Sequence, residues 1–166
     1  ILILWQYATE TGRLETNEEG CMFTSGEVGL CRWTFLQGTV TDAMAESFAR
    51  FIRETRPREG VVVIDISHGI TFPTALQRKC IADAVKETEA RFSTTISGHA
   101  VVTNSSVARA TLTAINWVAR PAYPEQVFSD VPSALAWAQR VSPSVDVDAT
   151  RESMRRAING FDTLRW

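Results

Sequence analysis

Asp65, Ser67 and His68 stand within four residues of one another, in the run Gly60-Val-Val-Val-Ile-Asp-Ile-Ser-His-Gly-Ile-Thr-Phe-Pro-Thr-Ala-Leu-Gln77. Acid, hydroxyl and imidazole are the three groups of a nucleophilic triad. The spacing argues against that chemistry, because triads are assembled from separate segments and no Gly-x-Ser-x-Gly elbow presents Ser67. What the run does place is an acid at the end of an apolar strand, and open α/β sheets dock ligands and partners at the carboxyl ends of their strands. Asp65, Ser67 and His68 are therefore candidate contact residues. Asp65 could also bind a cation or cap its own loop. His99 opens a second apolar strand and is expected to be structural.

The remaining reactive groups point away from catalysis. Cys21, Cys31 and Cys80 match neither a zinc pattern nor a C-x-x-C redox motif. Cys80 lies on the apolar stripe of a helix, where packing is expected despite the adjacent Lys79. No G-x-G-x-x-G or G-K-[ST] loop offers a phosphate cradle. Arg109, Trp117, Arg120 and Tyr123 bracket one helix and the break after it; such a group can stack bases or anchor a protein. A net charge of −2 with no basic stripe excludes a nucleic-acid binder. No cofactor or metal is implied, and no acid–base or nucleophile–base arrangement marks an enzyme.

These side chains need elements to hold them. At 166 residues, 45% hydrophobic and 22% charged, the chain has the composition of a folded domain with a sizeable core. Strands are expected at residues 1–8, 21–24, 28–36, 61–66, 98–103 and 126–128, with Ser25-Gly26-Glu27 turning a hairpin. Residues 9–19 read as a polar loop. Helices are expected after Thr41, after Thr74, after Asn104-Ser105-Ser106 and after Asp130, each opened by a capping side chain. Thr74-Ala-Leu-Gln77 is a capping-box pattern. Ser142-Pro143-Ser144 reads as a linker to a last amphipathic helix from about Asp148 to Leu164, carrying Met154, Ile158, Phe161 and Leu164 on one side. Two strands followed by βα alternation give a mixed sheet with helices packed on it.

Ile1-Leu-Ile-Leu-Trp5 is apolar but too short for a signal-peptide core, and far below the roughly 20 residues of a membrane span. The chain opens on Ile1 rather than Met, which suggests a processed or truncated start. An odd cysteine count without a secretory signal fits the cytoplasm.

The element order, with Asp65-Ile-Ser-His-Gly-Ile-Thr-Phe after a Val-rich strand, resembles the STAS-like fold of anti-sigma factor antagonists (SpoIIAA-like) and of the C-terminal domains of sulfate transporters. The likeness to an uncharacterised bacterial branch rests on Phe72-Pro-Thr-Ala-Leu-Gln-Arg78, Arg109-Ala-Thr-Leu-Thr-Ala-Ile-Asn-Trp117 and Pro124-Glu-Gln-Val-Phe-Ser-Asp-Val-Pro-Ser-Ala-Leu-Ala-Trp137. It covers about residues 20–140, within an α/β domain of residues 1–141; residues 142–166 form the linker and C-terminal helical extension. Antagonists carry an Asp-Ser-Ser-Gly loop where this chain has Pro73-Thr74-Ala75-Leu76, which leaves Thr74 as the hydroxyl at the phosphorylatable position.

The resemblance implies a non-enzymatic, cytoplasmic signalling module. It would bind a protein partner, or a second copy of itself, through the loop and helix start after the Asp65 strand. The candidate contact or switch residues are Asp65, Ser67, His68, Thr74, Gln77, Arg109 and Tyr123. Two other readings stand beside it: a carrier or sensor of a small apolar or nucleotide-like ligand held between sheet and helices, and a structural subunit of a larger assembly, such as a homo-oligomer.

Overall fold

Six strands form one sheet in the computed structural model, which describes residues 15–16, 22–56, 58–71, 73–106, 109 and 122–164. They are β1 (Glu15–Thr16), β2 (Met22–Val28), β3 (Cys31–Gln37), β4 (Val61–His68), β5 (Ile96–Thr103) and β6 (Glu125–Phe128). Their spatial order is their chain order. β1, β2 and β3 pair antiparallel, and β3 to β6 pair parallel. The expected mixed α/β sheet is thus what forms.

The helices are α1 (Asp42–Glu54), α2 (Ala75–Phe92), α3 (Val131–Val141) and α4 (Val147–Ala157), followed by a short 3₁₀ turn at Phe161–Thr163. Capping side chains start α1, α2 and α3 where the sequence indicates. Thr41 Oγ1 accepts from Met44 N, and Asp130 Oδ1 accepts from Ser133 N at 2.7 Å. Parallel crossovers that share a hand and step in one direction put their helices on the same face. α1 and α2 accordingly cover one face, packing Phe48, Ile52, Ile81 and Ala84 on Leu36, Val61 and Val63. α3 and α4 cover the other, packing Leu135, Trp137 and Met154 on Trp33, Phe35, Ile64 and Val102.

Four expectations are corrected. The hairpin turns at Gly29-Leu30, where Val28 pairs with Cys31, and not at Ser25-Gly26-Glu27. Gly29 takes φ +58°, which a two-residue hairpin loop requires. Gly26 lies inside β2 opposite Trp33, and the indole occupies the space a side chain there would need. Within residues 9–19, Glu15–Thr16 pair with Phe23 and Met22 and extend the sheet. β4 runs on to His68, so Asp65 is a mid-strand residue rather than a strand end. The last helix stops at Ala157 instead of Leu164; the chain turns at Asn159-Gly160 and returns Phe161 to the same apolar layer as Met154 and Ile158.

α4 lies against the domain. Trp33 Nε1 donates to Ser153 Oγ at 3.3 Å, and Met154 and Ile158 are buried against the sheet. The strand expected at residues 1–8 and most of the helix expected after Ser106 lie outside the described residues. No described helix is long and apolar enough to cross a membrane.

Candidate functional site

β4 is Val-Val-Val-Ile-Asp-Ile-Ser-His, and alternation sends Val61, Val63 and Asp65 toward α1 and α2. A carboxylate at such a position must find donors, because an unpaired buried charge costs several kcal/mol. It finds them on both neighbouring strands. Thr34, directly opposite on β3, donates from Oγ1 to Asp65 Oδ1 at 2.7 Å. His99, on β5, sets Nε2 2.9 Å from Asp65 Oδ2. The other ring nitrogen of His99, Nδ1, lies 2.9 Å from Oε2 of Glu125, its partner across β5 and β6. Thr34, Asp65, His99 and Glu125 thus form a continuous polar belt across four strands. The His99 side chain is 0% exposed and those of Asp65 and Glu125 are 2%.

Both ring nitrogens of His99 face carboxylate oxygens, which only accept; both must donate if both carboxylates are ionised. The imidazolium form is therefore favoured. Burial alone pushes His99 down, but the hydrogen bonds and charges of Asp65 and Glu125 raise it to about 9. Burial pushes Asp65 up to about 6, against the hydrogen bonds from His99 and Thr34. Tyr123 sets its ring edge-on to His99, with centroids 6.4 Å apart. A charged pair shares this face of the sheet: the buried Arg32 on β3 donates from Nε to Oε2 of the half-buried Glu27 on β2, at 2.8 Å across the hairpin.

The belt is interior; the surface nearby is built by α2. Thr74 and Gln77 form the expected capping box: Gln77 N donates to Thr74 Oγ1 at 3.3 Å, and Thr74 N donates to Gln77 Oε1 at 2.9 Å. Gln77 is buried, and its Nε2 donates to Asp42 Oδ1 at 2.7 Å, which ties the first turn of α2 to that of α1. Thr74, Ala75 and Leu76 are exposed. Leu76, at 71%, is the exposed large apolar side chain among the described residues.

The sequence candidates therefore separate into two groups. Asp65 sits in the interior and cannot itself reach a docking partner. Ser67 is half-buried and donates to Val102 O at 3.4 Å; His68 ends β4, half-buried, in register with Gln37. Arg109 Nη1 donates to Thr103 O at 2.7 Å, pinning the end of β5. Tyr123 is half-buried beside His99. Only Thr74 among the seven is exposed. Sequence reasoning did not single out Thr34 or Glu125. The available signal was the pair of polar residues, Asp65 and His99, inside otherwise apolar strands, each of which demands a buried partner.

Among the described residues no cluster of His, Cys, Asp and Glu has the arrangement of a metal site. Cys31 is buried, and that burial pushes its thiol up to about 12, with a Thr150 hydrogen bond opposing and Glu27 adding to the rise. It is not a nucleophile at neutral pH.

No family model and no curated protein matches the sequence. Among solved structures, the chain is similar to an uncharacterised protein of the DUF3478 family with a SpoIIAA-like fold from Shewanella loihica PV-4. The identity is 11%, the match covers 75% of this chain and 98% of that one, and the TM-score is 0.54. An anti-sigma factor antagonist from Mycobacterium paratuberculosis aligns at 12% identity over 75% of this chain and 99% of that one, with a TM-score of 0.49. At such identities the likeness is one of fold. The chain has a SpoIIAA-like, STAS-like α/β fold.

Proposed function

We propose that this chain is a non-enzymatic regulatory module of STAS-like type, acting in the cytoplasm. It docks a protein partner through residues 67–77, the end of β4 and the start of α2. The observation that carries this reading is the pairing of Leu76, 71% exposed, with the exposed Thr74 at the head of α2. An apolar side chain beside a hydroxyl, on a helix end held by the Gln77–Asp42 bond, offers a small rigid docking point with a modifiable group. A phosphate on Thr74 would sit at the positive end of α2 and add about −1.5 to −2 charge at neutral pH. That charge would repel an acidic partner surface and release it.

The test is affinity purification of the tagged full chain from its native cell, with quantitative mass spectrometry and mapping of Thr74. Wild type is expected to retain a stoichiometric protein partner, and Leu76→Asp and Thr74→Glu to lose it while keeping the wild-type circular dichroism spectrum. A partner retained equally by all three chains, or none retained by wild type, overturns the reading.

A further inference from the structure

We propose, resting on the reading of Thr74 as the modifiable group, that Gln77 is a polarity switch between two helices. Phosphate on Thr74 turns the Gln77 side-chain amide away from Asp42, and the first turn of α1 is released from that of α2.

One carboxamide spans the two helix starts. Gln77 Oε1 accepts from Thr74 N at 2.9 Å, and Gln77 Nε2 donates to Asp42 Oδ1 at 2.7 Å. Its orientation is fixed by these neighbours, an N–H at the α2 end and a carboxylate at the α1 end. The flipped group would set donor against donor and acceptor against acceptor. Gln77 is buried, so water is a poor substitute for either partner. Thr74 and Asp42 are exposed, which leaves room for a phosphate on the first.

Phosphorylation inverts the demand at one end. A protein kinase moves the γ-phosphoryl group of a nucleoside triphosphate. The bond from Thr74 Oγ1 to phosphorus forms and the phosphoanhydride bond breaks; the nucleoside diphosphate departs and the hydroxyl proton goes to solvent. The phosphate takes the Thr74 N–H in a charge-assisted bond, stronger than the one to the neutral Gln77 oxygen. The group facing Gln77 from α2 is then an acceptor, as Asp42 is from α1. The carboxamide has one NH2 end for two acceptors. The phosphate carries the larger charge and draws it, which leaves Asp42 facing the amide oxygen and a second anion. The link between the helices is given up.

Two cations follow on α2. Arg78 donates from Nη1 to Pro73 O, and Lys79 pairs with Asp83 at 2.7 Å. Both act alike whether or not residue 42 carries an acid, so a comparison at that residue isolates the route through Gln77.

The test uses the full chain labelled with nitrogen-15, with threonine or phosphothreonine placed at position 74 during translation. It reads nuclear Overhauser contacts between the Gln77 NH2 and the Asp42 methylene, and exchange of the Met44 and Ala45 amides, which bond to Thr41 at the start of α1. Phosphate is expected to abolish the Gln77–Asp42 contacts. Protection of the Met44 and Ala45 amides should fall about threefold or more, with the central β4 amides unchanged. In Asp42→Ala, which lacks the link from the outset, phosphate is expected to leave α1 protection where it was. Gln77–Asp42 contacts that survive phosphorylation, α1 protection that does not fall, or an equal fall with and without the Asp42 carboxylate overturns the proposal. Should Asp42→Ala not fold, the two chains with Asp42 decide through the contacts and the exchange together. No partner is present in this experiment. A silent Gln77 strikes the switch and leaves partner docking standing, whereas a failed affinity purification strikes docking without changing these readings.

Discussion

The side-chain amide of Gln77 donates from Nε2 to Oδ1 of Asp42 at 2.7 Å, while its Oε1 accepts from Thr74 N and its backbone N–H donates to Thr74 Oγ1. One residue thus closes the capping box of α2 and ties that helix to α1. Gln77→Ala is expected to cost about 2 kcal/mol, a charge-assisted hydrogen bond together with half a capping box. Gln77→Glu should cost more at neutral pH, because it sets a second carboxylate against Asp42. Denaturant unfolding of the two variants at neutral pH checks both statements. Equal loss in the two variants would remove Asp42 from the account.

Gly26 carries a constraint of a different kind. A Cβ at that position would lie 2.6 Å from Cζ2 of Trp33, a ring that is fully buried and bonded to Ser153 on α4. Backbone or indole must shift to admit even a methyl group. Gly26→Ala is expected to destabilise by about 2–3 kcal/mol, as overpacking does. Gly29→Ala also strains its φ of +58° but meets no atom within 4 Å. Thermal unfolding with tryptophan fluorescence distinguishes them: Gly26→Ala should shift the native emission, and Gly29→Ala should leave it in place.

This pair also shows where the sequence was readable and where it was not. Ser25-Gly26-Glu27 has the composition of a turn, and Gly29-Leu30 is disguised by an apolar residue, so local chemistry favours the wrong loop. The glycine in β2 is explained by an indole on the facing strand, which no local rule reports. Caps behaved otherwise: Thr41, Thr74 with Gln77, and Asp130 act on amides within three residues, and all four side chains form the bonds their positions suggest. The polar belt is the opposite extreme. Thr34 and Asp65 are separated by 31 residues, Asp65 and His99 by 34, and His99 and Glu125 by 26. Only strand order and register bring them together. Asp65 therefore read as an exposed strand end when it is the centre of a buried network.

Cysteine reactivity offers an independent check on burial. Cys31 is 0% exposed with its thiol pushed up to about 12, whereas Cys80 is half-buried on α2. Mild alkylation at neutral pH, mapped by peptide mass spectrometry, is expected to label Cys80 and spare Cys31 until the chain unfolds. Labelling of Cys31 at the rate of Cys80 would show that α4 does not stay seated on β2 and β3.

The belt makes the stability of the fold fall as pH rises. His99 goes from an ordinary 6.5 to about 9, so the folded chain holds a proton that the unfolded chain has released. Its contribution is fully present below about pH 6.5 and is lost as pH rises through 9. Asp65 goes from 3.8 to about 6, so it too binds a proton more tightly in the folded chain, and stability declines between those values. On the acid limb Asp130, held low by its cap to Ser133, works in the opposite sense, gaining stability as pH rises. The alkaline limb is the cleaner one. Unfolding free energy measured in denaturant is expected to drop from pH 6.5 to 9 in wild type, in step with the ring-nitrogen shifts of His99. Thr34→Val removes a bond that lowers Asp65, so it should extend the Asp65 decline to higher pH and leave the His99 limb in place. A wild-type stability that does not fall across the alkaline limb would mean that the folded chain holds no more protons than the unfolded one, with His99 neutral and both carboxyls ionised.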